Sequence, residues 1–537
     1  MNSEKALTAI LGELEDDDSE PIDGDSEEAD ELIQEPQNAE DDETSFDSDI
    51  EVEPTEGMPF VEGKDGEKWF HVPVVVQRRV NAENIFTKKP GFIKSALKSA
   101  YTPASAFGNF MDENFLAEIV KYTNIFIEKN RPNTRPITVD QLKVFLGSVL
   151  LIGALKGKNS QHREFWSKNY GYEIIKKSIS CNRFEEISQC IRFDQKHNRN
   201  RKDKLAPIRI LFEKFIEKCK KNYVPSTQMT IDEQLVTFRG RCPFRMYIPS
   251  KPGRYGIKIW ALCDATNAYL YNAKVYIGKE DGVTEIGQGE NVVKWLSEPV
   301  LKAGRNITTD NFFTTLSLAR YLLSFKTTLV GTVRKNKRFL PPDFQSSKGE
   351  MGAIKFLFQE KVTIVKFNGK KNKSVVLMST QHKVPAIDQE TKKPEIITYY
   401  NSTKAGVDTL DQVIRCYSVK RATRRWPMAI FYNMVDTAAY NAFLLYKQSH
   451  PQFWSKEPFQ ARRAFLKMLA EELLDDNSEA PVVQIQQPKR KPSSNVRGFC
   501  FLCTTGKREK TRLVCDNCDR FVCEKHRAKK ITCDNCS

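Results

Sequence analysis

The spacing of apolar positions divides this 537-residue chain into a helical part and a β-rich part. From about residue 104 to residue 227, apolar side chains recur every three or four positions, which is the spacing of one face of an α-helix. The clearest examples are Phe115, Ile119, Val120, Tyr122 and Ile125, followed by Ile208, Ile210, Leu211, Phe215 and Ile216. The longest apolar run, Val144 to Leu155, is too short to cross a bilayer and predicts a buried helix.

A β-rich pattern begins at Met229. Met229 to Phe238 alternates as a strand, and Gly256 to Ile277 predicts a hairpin that turns near Ala265. The later predicted elements are a short strand at 306–309, an amphipathic helix from Phe312 to Phe325, a strand from Thr327 to Val333, mixed β structure over 337–395, a helix from Ala405 to Tyr417, and a long apolar helix from Met428 to Tyr446 that Pro427 opens. This order of elements predicts an α/β fold.

The charge of the chain is distributed very unevenly. Residues 1–60 hold 23 Asp and Glu against one Lys, a net −22, which leaves +36 on the rest of the chain. Residues 1–80 are acidic and Ser-rich, so we expect them to be disordered. The basic remainder favours a polyanion partner such as nucleic acid, although charge alone also fits a soluble protein with many solvated lysines. The acidic N-terminus is unlike a secretory signal, and no membrane segment is expected.

The last forty residues contain eight soft metal ligands at the spacing of four ligand pairs. These are Cys500, Cys503, Cys515, Cys518, Cys523, His526, Cys533 and Cys536. Four such pairs predict two tetrahedral Zn²⁺ sites. Alternating use of the pairs would place the first and third pairs on one ion and the second and fourth on the other, as in a cross-brace; a sequential arrangement uses the same residues and stays open.

The position of the histidine in this module separates function classes. It is the sixth of the eight ligands, whereas RING and PHD domains place it fourth or fifth, which disfavours a ubiquitin ligase or a chromatin reader. Six further cysteines are scattered singly, as is typical of a reducing compartment. A basic cluster, Pro488 to Pro492, lies in a polar linker at 481–497 and predicts nuclear import or a DNA contact, and therefore a nuclear protein.

Four aspartates lie at the edges of predicted elements. Asp232 interrupts a strand, Asp310 follows a strand, and Asp408 and Asp411 share one face of a helix. Each could instead cap a helix, complement a helix dipole or pair with an arginine. Together, the order strand, strand end and helix matches the RNase H-like nucleotidyltransferases, in which three carboxylates bind two metal ions. Oxygen ligands favour Mg²⁺ or Mn²⁺.

Several long motifs resemble one known family. They are IDEQL at 231–235, FRGRCPFRMYIPSKP at 238–252, YGIK at 255–258, TDNFFTT at 309–315, YNSTKAGVDTLDQ at 400–412 and RWPMA at 425–429. In this order, and with the terminal Cys/His module, they resemble the piggyBac family of DDE transposases from about residue 80 to the end. The resemblance implies that Asp232, Asp310 and Asp408 are the catalytic, metal-binding triad and that Asp411 is an additional important acid.

The resemblance also implies a domain organisation. An RNase H-like catalytic domain would span 228–336 and 396–420 and carry an insertion domain at 337–395. A helical dimerisation and DNA-binding domain would span 104–227 and 421–480, and the zinc-binding domain 498–537 would recognise the transposon ends. The distance of 98 residues between Asp310 and Asp408 independently requires an insertion.

The implied activity is cut-and-paste transposition by a homodimer. Two metal ions per active site would cut the terminal inverted repeats through a hairpin intermediate, and the freed 3′-OH would join a TTAA target. The alternative is a domesticated, sequence-specific DNA-binding protein that no longer transposes. Candidate phosphate contacts are Arg334, Lys335, Lys337, Arg338, Lys420, Arg421, Arg424 and Arg425. Trp426 could stack on an exposed base, or it could only pack at the start of its helix.

Overall fold

The computed structural model describes the chain in two units, Met1–Leu474 and Asp475–Ser537. The described residues are 58–73, 86, 88–157, 160–249, 251–278, 285–454, 460–475, 497–503, 509–514 and 521–526. The acidic stretch before residue 58 and the basic cluster at 488–492 lie outside them.

The helices of the first unit are numbered here in chain order. They are α1 (Lys94–Ser99), α2 (Pro103–Gly108), α3 (Glu113–Asn130), α4 (Val139–Ala154), α5 (Glu173–Ser178), α6 (Cys181–Cys190), α7 (Arg209–Asn222), α8 (Gln288–Ser297), α9 (Leu316–Ser324), α10 (Pro342–Gln345), α11 (Glu395–Thr403), α12 (Gly406–Cys416), α13 (Trp426–Ser449), α14 (Pro451–Trp454) and α15 (Ala461–Leu474). None of the described helices is long and apolar enough to cross a membrane.

The strands of the chain are numbered in the same way. They are β1 (Phe60–Glu62), β2 (Lys68–Phe70), β3 (Gly91–Phe92), β4 (Tyr223–Val224), β5 (Gln228–Thr237), β6 (Met246–Tyr247), β7 (Tyr255–Asp264), β8 (Leu270–Val275), β9 (Asn306–Thr309), β10 (Thr328–Thr332), β11 (Ile354–Phe358), β12 (Thr363–Lys370), β13 (Lys373–Ser379), β14 (Gly498–Phe499) and β15 (Lys510–Thr511). The last two form a hairpin in the second unit.

Eleven of the described strands form one mixed sheet. Its order is β1-β2-β11-β12-β13-β10-β9-β5-β7-β6, with β8 also paired to β7. β9 runs parallel to β5 on one side and to β10 on the other, and the remaining pairs are antiparallel. The parallel step from β9 to β10 uses α9 as its crossover helix, because adjacent parallel strands cannot be joined by a tight turn.

Most predicted elements of the β-rich part are present. The hairpin of β7 and β8 turns where predicted, because the Asp264 carboxylate accepts hydrogen bonds from the Thr266 amide (3.0 Å) and hydroxyl (2.7 Å). The helix predicted from Phe312 begins only at Leu316. Thr315 caps it by accepting from the Leu318 amide, and the residues before it form a turn around Asp310.

The sheet also incorporates residues that were expected to be disordered. Within the predicted disordered region 1–80, β1 and β2 form its edge next to β11. Trp69 is fully buried there and its indole N–H donates to the Phe339 carbonyl at 2.7 Å, while Glu67 pairs with Arg320. The expectation of disorder is therefore wrong for residues 58–73, because the acidic composition of this stretch does not reveal that one tryptophan in it is buried.

The insertion between Asp310 and Asp408 continues the same sheet. β13 pairs antiparallel with β10, so β11, β12 and β13 extend the sheet away from β5. α11 packs on this extension through a small second core of Val330, Val365, Leu377, Ile396 and Ile397. The main core joins the helices and the central strands, among them the almost wholly buried α4 and α13.

One buried acid in the helical part makes stability depend on pH. Asp436, on α13, accepts hydrogen bonds from the Ser418 hydroxyl (2.6 Å) and the Val419 amide (2.8 Å). Burial raises the pKa of Asp436 to about 7, although these bonds and the charges of Arg462 and Lys420 oppose the shift. The pKa of Asp436 in the folded state lies above its pKa in the unfolded state. Its favourable contribution to the free energy of unfolding is therefore complete below the unfolded-state pKa and is lost as pH rises through 7.

Asp436→Asn should therefore remove a pH dependence. Between pH 5 and pH 8 the wild type should lose roughly 2 to 3 kcal/mol of unfolding free energy relative to the variant. Urea denaturation of both proteins at the two pH values measures the difference. Asp140→Asn, at an exposed acid on α4, is the matched control and should follow the wild type. A variant with the same pH dependence as the wild type would contradict the prediction.

Candidate active site

The first candidate acid lies inside the central strand. Asp232 is on β5, opposite Ala261 of β7, and its carboxylate accepts a hydrogen bond from the Glu233 amide at 2.7 Å. Burial, together with the nearby charge of Asp408, raises the pKa of Asp232 to about 7, although the charge of Lys251 opposes the shift. The carboxylates of Asp232 and Asp408 are therefore close enough to repel each other.

The second candidate acid is placed by the parallel pairing of β5 and β9. Thr309, the last residue of β9, is in register with Ile231, so Asp310 follows directly at the end of the strand beside Asp232. Its carboxylate accepts from the Phe312 amide at 2.8 Å. Burial raises the pKa of Asp310 and Glu233 adds to the shift, while the amides of the turn and Arg334 oppose it.

The third and fourth candidate acids share α12 but not an environment. The Asp408 side chain is 61% exposed and accepts from the Lys251 ammonium at 2.8 Å. Asp411 is largely buried, accepts from the Gln234 side chain at 3.3 Å, and has its pKa raised by burial. α12 approaches β5 closely because it begins at Gly406, where a Cβ atom would lie 2.9 Å from the Thr230 hydroxyl.

Two other side chains lie near several of these acids. Burial raises the pKa of Tyr400 to about 12, and Asp310, Asp232 and Asp408 all contribute to the increase. Burial lowers the pKa of Lys258, although Glu233, Asp232 and Asp310 oppose it. The structure therefore brings the three predicted triad acids to one place. The oxygens of the three carboxylates do not all lie within 4.8 Å of one another. In two other groups of side chains in the described part of the chain, all ligand atoms lie within that distance.

One of those two groups lies in the second unit. Its ligand atoms are those of Cys500, Cys503, Cys523 and His526. The Cys503 and Cys523 sulfurs are 3.8 Å apart, and the His526 Nδ1 lies 3.3–3.6 Å from the three sulfurs. A tetrahedral Zn²⁺ at its usual bond lengths requires ligand separations of about 3.5–3.8 Å, so these residues fit one zinc ion.

The grouping favours one of the two pairings that the sequence left open. The first ligand pair lies with the third, as the interleaved pairing predicts, and the second ion of the cross-brace stays a prediction. The remaining predicted ligands, Cys515, Cys518, Cys533 and Cys536, lie outside the described residues. The other group of ligand atoms, those of His162, Cys181 and Glu185, includes a carboxylate that already pairs with Arg163.

Comparison with known proteins identifies the family of this chain. A family model described as Transposase IS4 matches residues 102–443. A cryo-EM structure of a piggyBac transposase synaptic complex with hairpin DNA superimposes with a TM-score of 0.67 at 32% identity, over 84% of this chain and 100% of that one. This chain belongs to the piggyBac family of DDE transposases.

Human relatives of this piggyBac-family chain are more distant. PiggyBac transposable element-derived protein 3 from Homo sapiens is 28% identical over 64% of this chain, and PiggyBac transposable element-derived protein 2 is 23% identical over 67%. The matches span 61% and 64% of the lengths of those proteins.

The predicted DNA contacts of this piggyBac-family chain divide into two sets. Arg334 is exposed beside the site, where its guanidinium donates to the Asn311 side chain at 3.1 Å. Lys335 and Lys337 are half-buried, and burial lowers the pKa of both. Arg338 and Arg424 are exposed and Lys420 is half-buried. These six residues stay predictions.

The structure contradicts the prediction for the other two arginines. Arg421 is 8% exposed, and its guanidinium donates to the carbonyls of Gly157 (2.8 Å) and Ser160 (3.3 Å). The Arg425 guanidinium donates to the carbonyls of Ser188, Gln189 and Ile191, which end α6. Both side chains use their donors on the backbone, as a cation at a helix C-terminus commonly does.

The structure favours one of the two alternatives for Trp426. The Trp426 ring packs edge-to-face on Phe244 with a centroid distance of 4.9 Å. The packing alternative therefore describes Trp426, and base stacking by it is not supported. Sequence reasoning missed Lys251, Lys258 and Tyr400; the signal that could have found the lysines is a run of bases without acids between β5 and β7.

Neighbouring arginines give a matched test of these assignments. Arg425→Ala should lower the unfolding free energy by roughly 1–3 kcal/mol, because three carbonyls lose a charged donor. Arg424→Ala should leave stability unchanged but reduce the slope of log K against log salt for DNA binding by about 1. Urea denaturation and DNA titrations at several salt concentrations measure both quantities. If Arg425→Ala and Arg424→Ala had equal effects on the unfolding free energy and on the salt slope, the division into a structural and a DNA-binding arginine would be wrong.

Proposed function

We propose that this chain is a cut-and-paste DNA transposase that cleaves transposon ends through a hairpin intermediate and joins them to TTAA sites. The observation that carries the proposal is the convergence of Asp232, Asp310 and Asp408 from a central strand, the end of the adjacent parallel strand and a helix packed on the central strand. Asp411 supports the same site from the buried face of α12. The family membership gives the reaction class, and the hairpin and target are the finer part of the proposal.

The strand order supports an RNase H-like core. Around β5 the order is β8-β7-β5-β9-β10, in which β8, β7 and β5 pair antiparallel and β5, β9 and β10 pair parallel. In this arrangement Asp232 of β5 and Asp310, which follows β9, are neighbours. α12 packs on β5. The helical part before β5 and after α12 would serve dimerisation and DNA binding.

The three acids fit divalent cations. Carboxylates that are buried or raise one another's pKa need a cation nearby to be ionised together at neutral pH, and oxygen donors match Mg²⁺ or Mn²⁺. Asp232, Asp310 and Asp408 would hold two ions. When bound, such ions activate a nucleophilic oxygen and neutralise phosphate charge.

The remaining groups of the site would position the DNA strand. Lys251, Lys258 and Arg334 surround the acids with positive charge, so a scissile phosphate could be held against them. Tyr400, whose phenol stays protonated because its pKa is about 12, can donate a hydrogen bond at this place. The protein's contribution is therefore orientation and charge neutralisation, with no covalent intermediate.

The partners follow from the two units. The first would bind terminal repeats and target DNA as a homodimer. The Cys/His unit, with two Zn²⁺ per chain, would select the transposon end by sequence. We place the activity in the nucleus on the basis of the basic cluster at 488–492.

An excision assay tests the proposal. A reporter flanked by candidate ends and TTAA should lose its insert with the wild type but not with Asp310→Asn. Asparagine keeps the acceptor for the Phe312 amide and removes only the charge. Asp388→Asn is the control, because Asp388 also accepts an amide hydrogen bond in an exposed turn, from Thr391 at 2.7 Å.

The outcomes of this assay separate the two candidate functions. Excision by wild type and Asp388→Asn but not by Asp310→Asn supports the transposase. Equal excision by all three proteins would remove Asp310 from the mechanism. Binding of the ends without excision by any of them would favour the domesticated DNA-binding protein.

A further inference from the structure

The segment from the end of β5 into β7 contains basic but no acidic residues and carries exposed aromatic rings. Residues 234–263 contain six Lys and Arg and no Asp or Glu. An exposed part of this segment, called here the arginine–tyrosine surface, consists of Arg239, Arg241, Arg245, Tyr247, Arg254 and Tyr255. None of these residues was assigned a role above.

The two tyrosines form one exposed pair. Tyr247 of β6 lies directly opposite Tyr255 of β7, and their ring centroids are 4.8 Å apart at an interplanar angle of 44°. Their exposed fractions are 50% and 42%. Large aromatic rings are usually buried, and two adjacent rings at a sheet edge offer a flat apolar face to a planar ligand.

The positive charge of this surface is not compensated within the described part of the chain. The ion pairs of the segment are Lys251 with Asp408 and Lys258 with Glu233, and its four arginines make none there. Arg245 is nevertheless held in place, since it donates to the carbonyls of Arg239 (2.6 Å) and Gly240 (3.1 Å) and lies 5.3 Å from the Tyr255 ring. Such a surface favours an anionic ligand.

A buried aromatic contact fixes the segment that carries the arginine–tyrosine surface. Phe244, which precedes Arg245, is 3% exposed and packs on Trp426 at the start of α13. Trp426, for which base stacking was one of two alternatives, therefore supports the segment that carries the exposed rings.

The same segment reaches the candidate active site. Between β6 and β7 the chain turns back so that Lys251 contacts Asp408. β7 itself continues from Tyr255 to Ala261, which pairs with Asp232. A nucleic acid strand on the arginine–tyrosine surface would therefore lie next to the aspartates.

We propose that the arginine–tyrosine surface binds a DNA strand beside the cleavage site and stacks an unpaired base on Tyr247 and Tyr255. The ring faces accept any base, and the four guanidiniums match the phosphates on either side. A protein partner would be expected to need more apolar area than one tyrosine pair supplies. Only the location next to the cleavage site rests on the proposed function.

Binding titrations of the full-length protein test this surface. The probes are a fluorescent DNA hairpin with unpaired loop bases and a blunt duplex of the same stem. Tyr247→Ala and Tyr255→Ala should each weaken hairpin binding roughly tenfold and duplex binding much less. Tyr247→Phe and Tyr255→Phe should bind like the wild type, because stacking uses the ring and not the hydroxyl. Phe60→Ala, at a 45% exposed aromatic residue of β1 at the other edge of the sheet, is the control.

The arginines give an independent measurement. The double variant Arg239→Gln with Arg254→Gln should reduce the salt slope of binding by about 2, since each lost phosphate contact lowers it by nearly 1. An unchanged hairpin affinity in both alanine variants, or weakening by Phe60→Ala as large as theirs, would overturn the proposal. So would an unchanged salt slope in the arginine variant.

The two proposals can fail separately. If the wild type excises the reporter but the tyrosine variants bind the hairpin normally, this surface is wrong and the transposase stands. If the wild type does not excise but the tyrosine variants lose hairpin binding, the surface stands and the transposase is wrong.

Discussion

The Asp232→Asn protein is expected to lose strand cleavage by about a thousandfold or more and, without divalent metal, to be more stable than the wild type. The loss follows because one of the three acids that would hold the metal ions is gone, and several kcal/mol of barrier correspond to this factor. The gain in stability follows from the burial of Asp232 and its nearness to Asp408, which raise its pKa to about 7. Asparagine keeps the acceptor for the Glu233 amide and removes the charge.

Thermal unfolding with and without Mg²⁺ separates these effects from a simple folding defect. In chelator the variant should melt above the wild type. Mg²⁺ at a hundred times its dissociation constant should stabilise the wild type by about 2.7 kcal/mol and the variant by much less. Glu360→Gln, an equally conservative change at an exposed acid, should behave like the wild type in both conditions. Equal stabilisation of Asp232→Asn and the wild type by Mg²⁺ would show that Asp232 is not a ligand.

Much of the region around these acids was predictable because its signals are local. Two β-branched residues directly precede Asp232 in β5, and three directly precede Asp310 at the end of β9. Pro427 in the first turn of α13 and the spacing of Asp408 and Asp411 on α12 are equally local. Their convergence depends on parallel pairing of β5 and β9, which the sequence indicated only through the combined order of the motifs.

The errors come from partners that lie far away in the sequence. Trp69 is buried by a contact with Phe339, 270 residues later, so a window of acidic composition could not reveal β2. Arg424 and Arg425 are adjacent and chemically identical. Arg424 is exposed, whereas the Arg425 guanidinium donates to backbone carbonyls at the end of α6. Charge in a sequence identifies a donor but not its acceptor, and that acceptor decides whether an arginine is available for DNA.

The zinc ligands show the same limit on a smaller scale. Their spacing predicts eight ligands, because each C-x2-C or C-x2-H turn presents two ligands to one ion, and the structure groups four of them. The assignment of turns to ions depends on how the chain folds back, which the distances among Cys500, Cys503, Cys523 and His526 reveal for the first ion.

Loss of one zinc ligand should remove both metal and DNA-end recognition. Cys523→Ser is expected to lower the zinc content by one ion per chain and to abolish discrimination between transposon-end and random DNA. The physical reason is that folding of so small a unit depends on metal binding, worth on the order of 10 kcal/mol. Cys416→Ser changes a cysteine of the first unit, outside the metal cluster, and is the matched control. Discrimination retained by Cys523→Ser after the loss of zinc would refute the role of this unit in end recognition.

A double variant tests the interleaved pairing itself. Cys503 belongs to the first ligand pair and Cys523 to the third, and their sulfurs lie 3.8 Å apart. If both bind the same ion, Cys503→Ser, Cys523→Ser and the double variant should each lose one zinc ion, because the second change removes a ligand from a site that is already empty. In a sequential arrangement the two cysteines would serve different ions, and the double variant would lose two. Zinc analysis of the purified full-length proteins distinguishes these results, and loss of two ions would contradict the grouping of Cys503 with Cys523.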